Sequence, residues 1–412
     1  MIVHQPCSGS TKREGMTTDL PINSSERASA AKAMTVSVIV PTFNRAHCIG
    51  ECLESLLVQT VPPLEIVVID DGSEDGTADV LARYGDRIRY VRKENGGKPR
   101  AVNLGLSLAQ GALIWIFDDD DVALPDAIER RLDVLEAKPG IGFVYGQHFI
   151  GTNGPDGHIV QGRLYSPPCP RDEEFFFEIM RSCFFHLGTA LVRRELLEAL
   201  GGLDPALLSG EDYDLQIRLA RIAKPAFCES PIFVFRQHGG VRGAKAIRYT
   251  ASQRSSVFRK HSGAIGRKIR SSLALGGYLT PPVTRAIDQR STRAALLNRI
   301  RVMANHGCID EMFEDLRAVL DLCAPDAPLT GPECEAIALA MREGWAYEAS
   351  VQDWPRFLTE ARRLRGSYGG HRAVRALAKG VIVLARSYPA PTGQRLERAV
   401  KGAQIYICAC VG

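Results

Sequence analysis

The sequence lacks any apolar run long enough to cross a bilayer. Its longest apolar stretches are the short segments VSVIVP, EIVVI, ALIWIF and GVIVLA, whereas a spanning helix needs about 20 apolar residues. The first residues also lack the apolar core of a signal peptide. We therefore expect a cytoplasmic protein that neither spans a membrane nor is exported.

Cysteine pairs and a strong net charge are missing as well. The eleven cysteines are scattered without a CxxC pair, and a chain of 412 residues does not need disulfides to fold. We expect reduced thiols, and the absence of a four-ligand spacing argues against a structural zinc site. The net charge is only +4, which gives no indication of a nucleic acid partner.

The chain divides by pattern into three parts. Residues 1–34 are polar and carry no apolar period, which predicts a disordered tail. Residues 35–244 alternate short apolar strands with helical patterns. Residues 245–412 are helical in pattern, with frequent Arg and Ala, which predicts a separate helical accessory domain.

The strands of the middle part are apolar throughout and alternate with helices. This pattern is typical of a mostly parallel sheet that helices cover on both faces. Ligands of such sheets bind beyond the C-terminal ends of the strands. Three of the first four predicted strands end in polar clusters, which are PTFNR, DDGS and DDDD. We therefore expect the functional face at these strand ends.

Four consecutive aspartates, Asp118–Asp121, follow the predicted buried strand ALIWIF. Adjacent carboxylates repel one another, and a hard divalent cation with oxygen ligands offsets that charge. Residues two apart in an extended segment face the same side, so Asp118 and Asp120 can converge on one Mn²⁺ or Mg²⁺ ion. The alternative is a solvated acidic turn before the helix that starts near Pro125. The position at a strand end favours the metal site.

Two other segments suit a nucleotide. Asp70 and Asp71 follow EIVVI, where a carboxylate can accept a base N–H or a ribose hydroxyl; the alternative is a helix N-cap. ENGGKPRAVNLG, at 94–105, opens a helix with two glycines, Lys98 and Arg100. A helix N-terminus favours phosphate, and the alternative is an ordinary turn with exposed basic residues.

Two later segments carry candidate catalytic groups. Glu211 and Asp212 begin a helix, where a carboxylate with a suitable pKa can act as a general base. By propensity alone, they are first-turn acids that the helix dipole stabilises. Arg236 and His238 end a strand-like run, where both can face a pyrophosphate and His238 can bind a metal. A lone histidine is more often structural.

In chain order, VSVIVPTFNR, VVIDDGSEDGT, NGGKPRAVNLG, FDDDD, LGTALVRRELLEALGGLD and GEDYDLQIRLA resemble the motifs of family 2 glycosyltransferases. The resemblance covers about residues 35–240. It implies the GT-A fold, with a mixed, mostly parallel sheet flanked by helices. It also implies an inverting transfer of a sugar from a nucleotide diphospho-sugar to an acceptor hydroxyl.

The resemblance also implies roles for single residues. A divalent cation is expected at Asp118 and Asp120, and His238 is similar to a histidine that closes over the metal in some members. Asp212 resembles the catalytic base, with Glu211 as its neighbour. The implied donor-binding residues are Pro41, Thr42, Asp70, Asp71, Lys98, Arg100, Asp118 and Arg236.

Some features depart from the family pattern. Asp119 makes the run DDDD, which leaves the ligand register open by one residue. The QxxRW motif of processive polysaccharide synthases is absent, which predicts a non-processive enzyme. The resemblance suggests a UDP-sugar as the donor and a glycan, a lipid-linked molecule or a protein as the acceptor. Residues 245–412 resemble no known accessory domain.

Alternatives of other classes remain open. A non-catalytic nucleotide-sugar-binding protein on the same scaffold has no physical need for intact GED and DxD motifs. A nucleotidyltransferase requires a glycine-rich phosphate loop after the first strand, and PTFNRAHCIG is not one. The stretch 242–301 holds fourteen Lys and Arg and one acid, Asp288. A solvated helical face is the favoured interpretation, and peripheral docking to an anionic membrane surface is the alternative.

Overall fold

A computed structural model describes residues 34–207, 209–237, 254–342, 346–387 and 392–410. These residues divide into two compact units. The first unit runs to Asp172 and resumes at Cys183–Arg254, whereas the second joins Glu173–Ser182 to the chain from Ser255 onward. The predicted tail lies outside the described residues apart from Met34, and the predicted boundary at 244/245 stays a prediction.

The first unit is built on one sheet of ten strands. Its strands are β1 Val36–Thr42, β2 Glu65–Asp70, β3 Arg89–Arg92, β4 Leu113–Ile116, β5 Val122–Ala123, β6 Phe143–Asn153, β7 Ile159–Val160, β8 Leu164–Tyr165, β9 Leu191–Arg193 and β10 Pro225–Gln237. Its helices are α1 Ile49–Leu57, α2 Thr77–Ala82, α3 Lys98–Leu108, α4 Ala127–Ala137, α6 Arg194–Ala199 and α7 Glu211–Ile222. The helix α5, Asp172–Arg181, belongs to the second unit except for its first residue.

The strand order is β3-β2-β1-β4-β9-β6-β10-β5, and β7 and β8 pair with β6. The long ladders are parallel: β1 pairs with β2 and β4, β2 with β3, and β6 with β10. The strand β9 is antiparallel to both β4 and β6. The sheet is therefore mixed and mostly parallel, as the alternating pattern predicts.

The order of the strands reverses at β1. The chain adds β2 and β3 on one side of β1 and then returns to place β4 on the other side. The loops that follow β1 and β4 consequently diverge at a topological switch point, where open α/β sheets bind their ligands. The four aspartates follow β4 directly, so the fold brings them to this crevice.

The central strands are continuous apolar runs in the sequence because both of their faces are buried. Every residue of β1 and β4 is buried, and so is every residue of β2 except Glu65, because helices cover a parallel sheet on both faces. Trp115 and Phe117 lie in this core without exposed surface. The strand β3 differs, since three of its four residues are exposed, as suits the edge of a sheet.

The second unit is helical. Besides α5 it contains α8 Arg254–Ser272 apart from its first residue, α9 Gln289–Asn305, α10 Ile309–Asp321, α11 Gly331–Arg342, α12 Ala346–Gln352, α13 Trp354–Leu364, α14 Gly370–Ser387 and α15 Thr392–Cys410. Phe313 and Phe357 meet edge to face in its core, with ring centroids 5.1 Å apart. Among the described helices, none combines the length and the apolar character needed to cross a bilayer.

Candidate active site

One ammonium group joins two of the predicted functional clusters. The Nζ of Lys98 lies 2.7 Å from Oδ1 of Asp118 and 3.0 Å from Oδ2 of Asp212. The two carboxylate oxygens are therefore at most about 6 Å apart, which is within the span of one sugar ring. The metal motif and the predicted base thus face the same small volume, although 94 residues separate them in the sequence.

The loop before Lys98 is held by a carboxylate at the end of β2. Asp71 accepts hydrogen bonds from the backbone N–H groups of Gly96, at 2.9 Å, and Gly97, at 2.7 Å. Gly97 has a φ of +88°, a conformation that a glycine adopts without steric cost. The N-terminus of α3, and with it Lys98, is therefore fixed in place before any ligand binds.

The two aspartates at the end of β2 are both engaged by protein groups. Besides the two glycine amides, Asp71 accepts a contact of 2.5 Å from Nζ of Lys93. Asp70 is fully buried and accepts from the backbone N–H of Ser73 at 2.8 Å and from the hydroxyl of Tyr90 at 3.0 Å. These bonds order the two loops that flank the crevice. The predicted contacts of both carboxylates with a nucleotide stay predictions.

The four aspartates have different partners and different electrostatic surroundings. Asp118 faces Lys98, and Oδ1 of Asp119 lies 3.4 Å from Nε of Arg45. Burial would raise the pKa of Asp118, but the charge of Lys98 outweighs it and lowers that pKa below the ordinary value. Burial, followed by the charge of Asp120, raises the pKa of Asp119 to about 7. The adjacent carboxyl groups of Asp118 and Asp119 therefore have pKa values shifted in opposite directions.

Arg236 is buried behind the aspartate run. Its Nε donates to the carbonyl of Asp120 at 2.6 Å, its Nη1 donates to Asn153 at 2.6 Å, and its Nη2 pairs with Glu51. Its backbone N–H donates to Oδ1 of Asp121 at 2.9 Å. These contacts indicate that Arg236 positions the aspartate loop. The predicted contact with the donor remains untested.

His186 lies at the site, although the sequence motifs do not indicate it. Its ring lies beside the aspartates, with Nε2 4.0 Å from Oδ2 of Asp118, and one ligand atom each of Asp118, Asp121 and His186 lie within 4.8 Å of one another. The histidine stands in the segment FFHLGTALV, directly before the short 3-10 helix Leu187–Thr189, which leads into β9 beside β4.

The hydrogen bonds of His186 decide what its ring can do. The backbone N–H of Gly188 donates to Nδ1 of His186 at 3.1 Å, so the neutral ring carries its proton on Nε2. A protonated nitrogen cannot ligate a metal. His186 therefore presents a hydrogen-bond donor toward Asp118, and the oxygen atoms of the aspartates are left as the candidate ligands.

Asp212 is the second residue of α7 and directly follows Glu211. Its Oδ1 is buried, and no donor among the described residues lies within hydrogen-bond distance of that atom. Burial, followed by the charge of Asp212, raises the pKa of Glu211 to about 7. One oxygen of Asp212 is thus paired with Lys98, whereas the other can still accept a proton.

The remaining predicted residues fall at the edge of the site or outside the described chain. Pro41 and Thr42 are buried at the end of β1, and Thr42 accepts the backbone N–H of Asp71 at 2.8 Å. Arg100 is exposed on α3. His238, the predicted third metal ligand, lies outside the described residues.

A family model matches part of the sheet unit. Residues 37–201 match the family described as glycosyl transferase family 2. This part of the chain is a family 2 glycosyltransferase domain. The match includes Lys98 and the aspartate run and ends before Asp212.

Curated relatives of this glycosyltransferase domain carry related names. An uncharacterized glycosyltransferase of Rickettsia conorii is 32% identical over 223 residues, which are 52% of this chain and 35% of the relative. The chondroitin synthase of Pasteurella multocida is 30% identical over 192 residues, which are 46% of this chain and 19% of that protein. The chain therefore spans only a part of the length of these relatives.

A solved structure confirms the fold of the glycosyltransferase domain. The crystal structure of S. aureus TarS 1–349 in complex with UDP-GlcNAc superposes with a TM-score of 0.50 at 17% identity, covering 81% of this chain and 93% of that one. The likeness confirms the predicted GT-A fold.

Proposed function

We propose that this chain is an inverting, non-processive glycosyltransferase that moves a sugar from a nucleotide diphospho-sugar to an acceptor hydroxyl. One observation carries the proposal. The ammonium of Lys98 contacts both Asp118 of the metal motif and Asp212 of the GED motif. A sugar held at that position has the leaving diphosphate on one side and a carboxylate on the other.

Asp212 is the proposed general base. Its Oδ1 takes the proton of the acceptor hydroxyl, and the acceptor oxygen forms a bond to the anomeric carbon. The bond from that carbon to the diphosphate oxygen breaks, and its electrons leave with the nucleoside diphosphate. A single displacement from the opposite face inverts the anomeric configuration. Positioning of this kind of base contributes about 10²–10⁴ in rate.

The aspartate run fits a hard divalent cation. Asp118 and Asp121 converge with His186, and the ring of His186 is turned to donate rather than to ligate. Asp118, Asp120 and Asp121 would therefore hold Mn²⁺ or Mg²⁺ through oxygen atoms. When bound, the cation would neutralise charge on the diphosphate. A contribution of His238 to this site stays part of the proposal.

Uridine is the nucleotide to test first, because TarS, which shares the fold, was solved with UDP-GlcNAc. The decisive experiment incubates the full chain with a panel of UDP- and GDP-sugars, Mn²⁺ and a mixture of glycan and lipid-linked acceptors. Transfer is followed by mass spectrometry, and NMR of the product assigns its anomeric configuration. Nucleotide-sugar binding without transfer or hydrolysis would favour a non-catalytic binding protein instead.

Peripheral membrane contact through the basic stretch 242–301 also stays a proposal. Several of its described arginines form ion pairs inside the second unit: Arg267 with Glu311, Arg270 with Glu314 and Asp315, Arg293 with Glu333, and Arg299 with Asp315. Part of the basic charge of this stretch is therefore neutralised by acids of the same unit. This neutralisation favours the interpretation of the stretch as a solvated helical face. Cosedimentation with anionic vesicles at low and high salt tests the membrane alternative.

A further inference from the structure

Lys98 has a position that donor binding alone does not explain. Its ammonium is held by two carboxylates from different motifs, and its side chain is 26% exposed. A lysine ammonium is ordinarily a cation at neutral pH. It lies here within contact distance of a proposed metal ligand.

Two cations cannot share one carboxylate without mutual repulsion. A divalent ion on Asp118 would lie close to the ammonium that already touches Oδ1 of that residue at 2.7 Å. Partial burial strengthens such repulsion, because little water screens it. The second anchor at Asp212 keeps Lys98 near the site. Lys98 and a divalent ion therefore compete for Asp118.

We propose that Lys98 is a built-in counter-cation, which neutralises Asp118 and Asp212 in the ligand-free protein and which the divalent ion displaces from Asp118. The proposal rests on the proposed function only in that Asp118 binds the metal. Metal binding without nucleotide is then weak. The diphosphate makes it stronger, because its negative charge accommodates both cations. Lys98 thus couples the two binding events.

The test is calorimetric titration of Mn²⁺ into the full chain, with and without UDP. The variant Lys98→Gln should bind Mn²⁺ about tenfold or more tightly than the natural chain when no nucleotide is present. The strengthening by UDP should shrink by a similar factor. Lys98→Arg keeps the charge and should behave like the natural chain. Lys138→Gln removes an exposed charge at the C-terminal end of α4 and serves as the matched control.

Unchanged or weaker Mn²⁺ binding in Lys98→Gln would overturn the proposal, and so would the absence of Mn²⁺ binding from all four proteins. Lys98→Met is the second variant in case Lys98→Gln does not fold.

A measurement on the natural chain needs no variant. Saturating Mn²⁺ should increase the acetylation rate of Lys98 at least severalfold relative to that of Lys138, as quantified by mass spectrometry, because displacement removes one ion pair. An equal rate with and without Mn²⁺ would contradict displacement. None of these readouts requires transfer. A natural chain that binds Mn²⁺ as expected but transfers no sugar would count against the proposed function alone.

Discussion

The backbone N–H of Arg236 donates a 2.9 Å hydrogen bond to Oδ1 of Asp121, across 115 positions of sequence. The side chain of the same arginine reaches the carbonyl of Asp120 at 2.6 Å and Asn153 at 2.6 Å. A residue at the end of β10 therefore fixes the loop after β4. The positions of the aspartates therefore depend on β10 as well as on β4, the strand that they follow.

Arg236→Lys should loosen the aspartate loop. A lysine keeps the charge but cannot reproduce the forked contacts to Asp120 and Asn153. We expect a loss of about 2–4 kcal/mol in the free energy of unfolding, because buried partners lose their bonds. Urea denaturation measures this loss. Arg130→Lys, at an exposed pair with Asp126, is the control and should show no measurable change; equal stability of both variants would contradict the positioning role.

Asp212→Asn should separate binding from chemistry. The amide cannot accept the acceptor proton, so turnover should fall by about 10²–10⁴, while the affinity for UDP changes little. Steady-state rates give the turnover, and calorimetry gives the affinity for UDP. Glu195→Gln, at an exposed first-turn acid of α6, is the matched control. Near-normal turnover in Asp212→Asn would reject this residue as the base.

Asp120→Ala and His186→Gln should behave differently in metal binding. Loss of a carboxylate ligand should abolish the metal-dependent part of UDP affinity in Asp120→Ala. His186→Gln keeps a hydrogen-bond donor and removes no ligand, so Mn²⁺ affinity should stay close to that of the natural chain. Titration of Mn²⁺ in the presence of UDP compares the two variants. A large loss in His186→Gln would show that the histidine ligates the ion after all.

Glu211 should make the protein less stable as pH rises. Its pKa is about 7 in the folded chain against an ordinary 4.5, so the folded state retains a proton between these values that the unfolded state has lost. Stability from this group is complete below about pH 4.5 and is lost as pH rises through about 7. Glu211→Gln removes the effect. We expect it to gain about 1–2 kcal/mol relative to the natural chain between pH 4 and pH 8.

Urea denaturation of both proteins at pH 4, 6 and 8 provides the measurement for Glu211. The exposed Glu195→Gln variant should show a pH profile parallel to that of the natural chain. A constant difference between Glu211→Gln and the natural chain at all three pH values would rule out the raised pKa.

His306 should give the second unit the opposite pH dependence. Its two ring nitrogens each lie 2.9 Å from a backbone carbonyl oxygen, Nε2 from that of Met180 and Nδ1 from that of Ser262, and Nδ1 also lies 2.9 Å from Oγ of Ser262. Burial lowers the pKa of His306 below its ordinary 6.5. The unfolded chain takes up a proton below that pH and the folded chain does not, so stability falls as pH drops below 6.5.

His306→Gln should be less stable than the natural chain at pH 8 and should lose less stability on acidification to pH 5. Thermal unfolding at both pH values tests this expectation. The exposed His371 provides the control His371→Gln. An acid response in His306→Gln identical to that of the natural chain would contradict the assignment.

Much of the sheet unit could be predicted from local pattern. The strands β1, β2 and β4 and the start of α3 fall where the apolar runs and the glycines indicate. The helix α7 follows in the same way from its first-turn acids. Such signals are local, because the hydrophobic pattern of consecutive residues predicts a buried strand or an amphipathic helix. Within the region 245–412, which the pattern predicts as helical, no separate signal indicates the bounds of α15, Thr392–Cys410.

By itself, the sequence determined the order of the elements, the strand ends that carry polar clusters and the family to which residues 37–201 belong. Only the tertiary structure decided that Lys98 bridges Asp118 and Asp212, that Arg236 is buried against the aspartate loop, and that His186 presents a proton toward it. The reason is physical. Local periodicity sets which residues are buried, whereas the partner of a charged side chain depends on which distant strand the sheet places beside it.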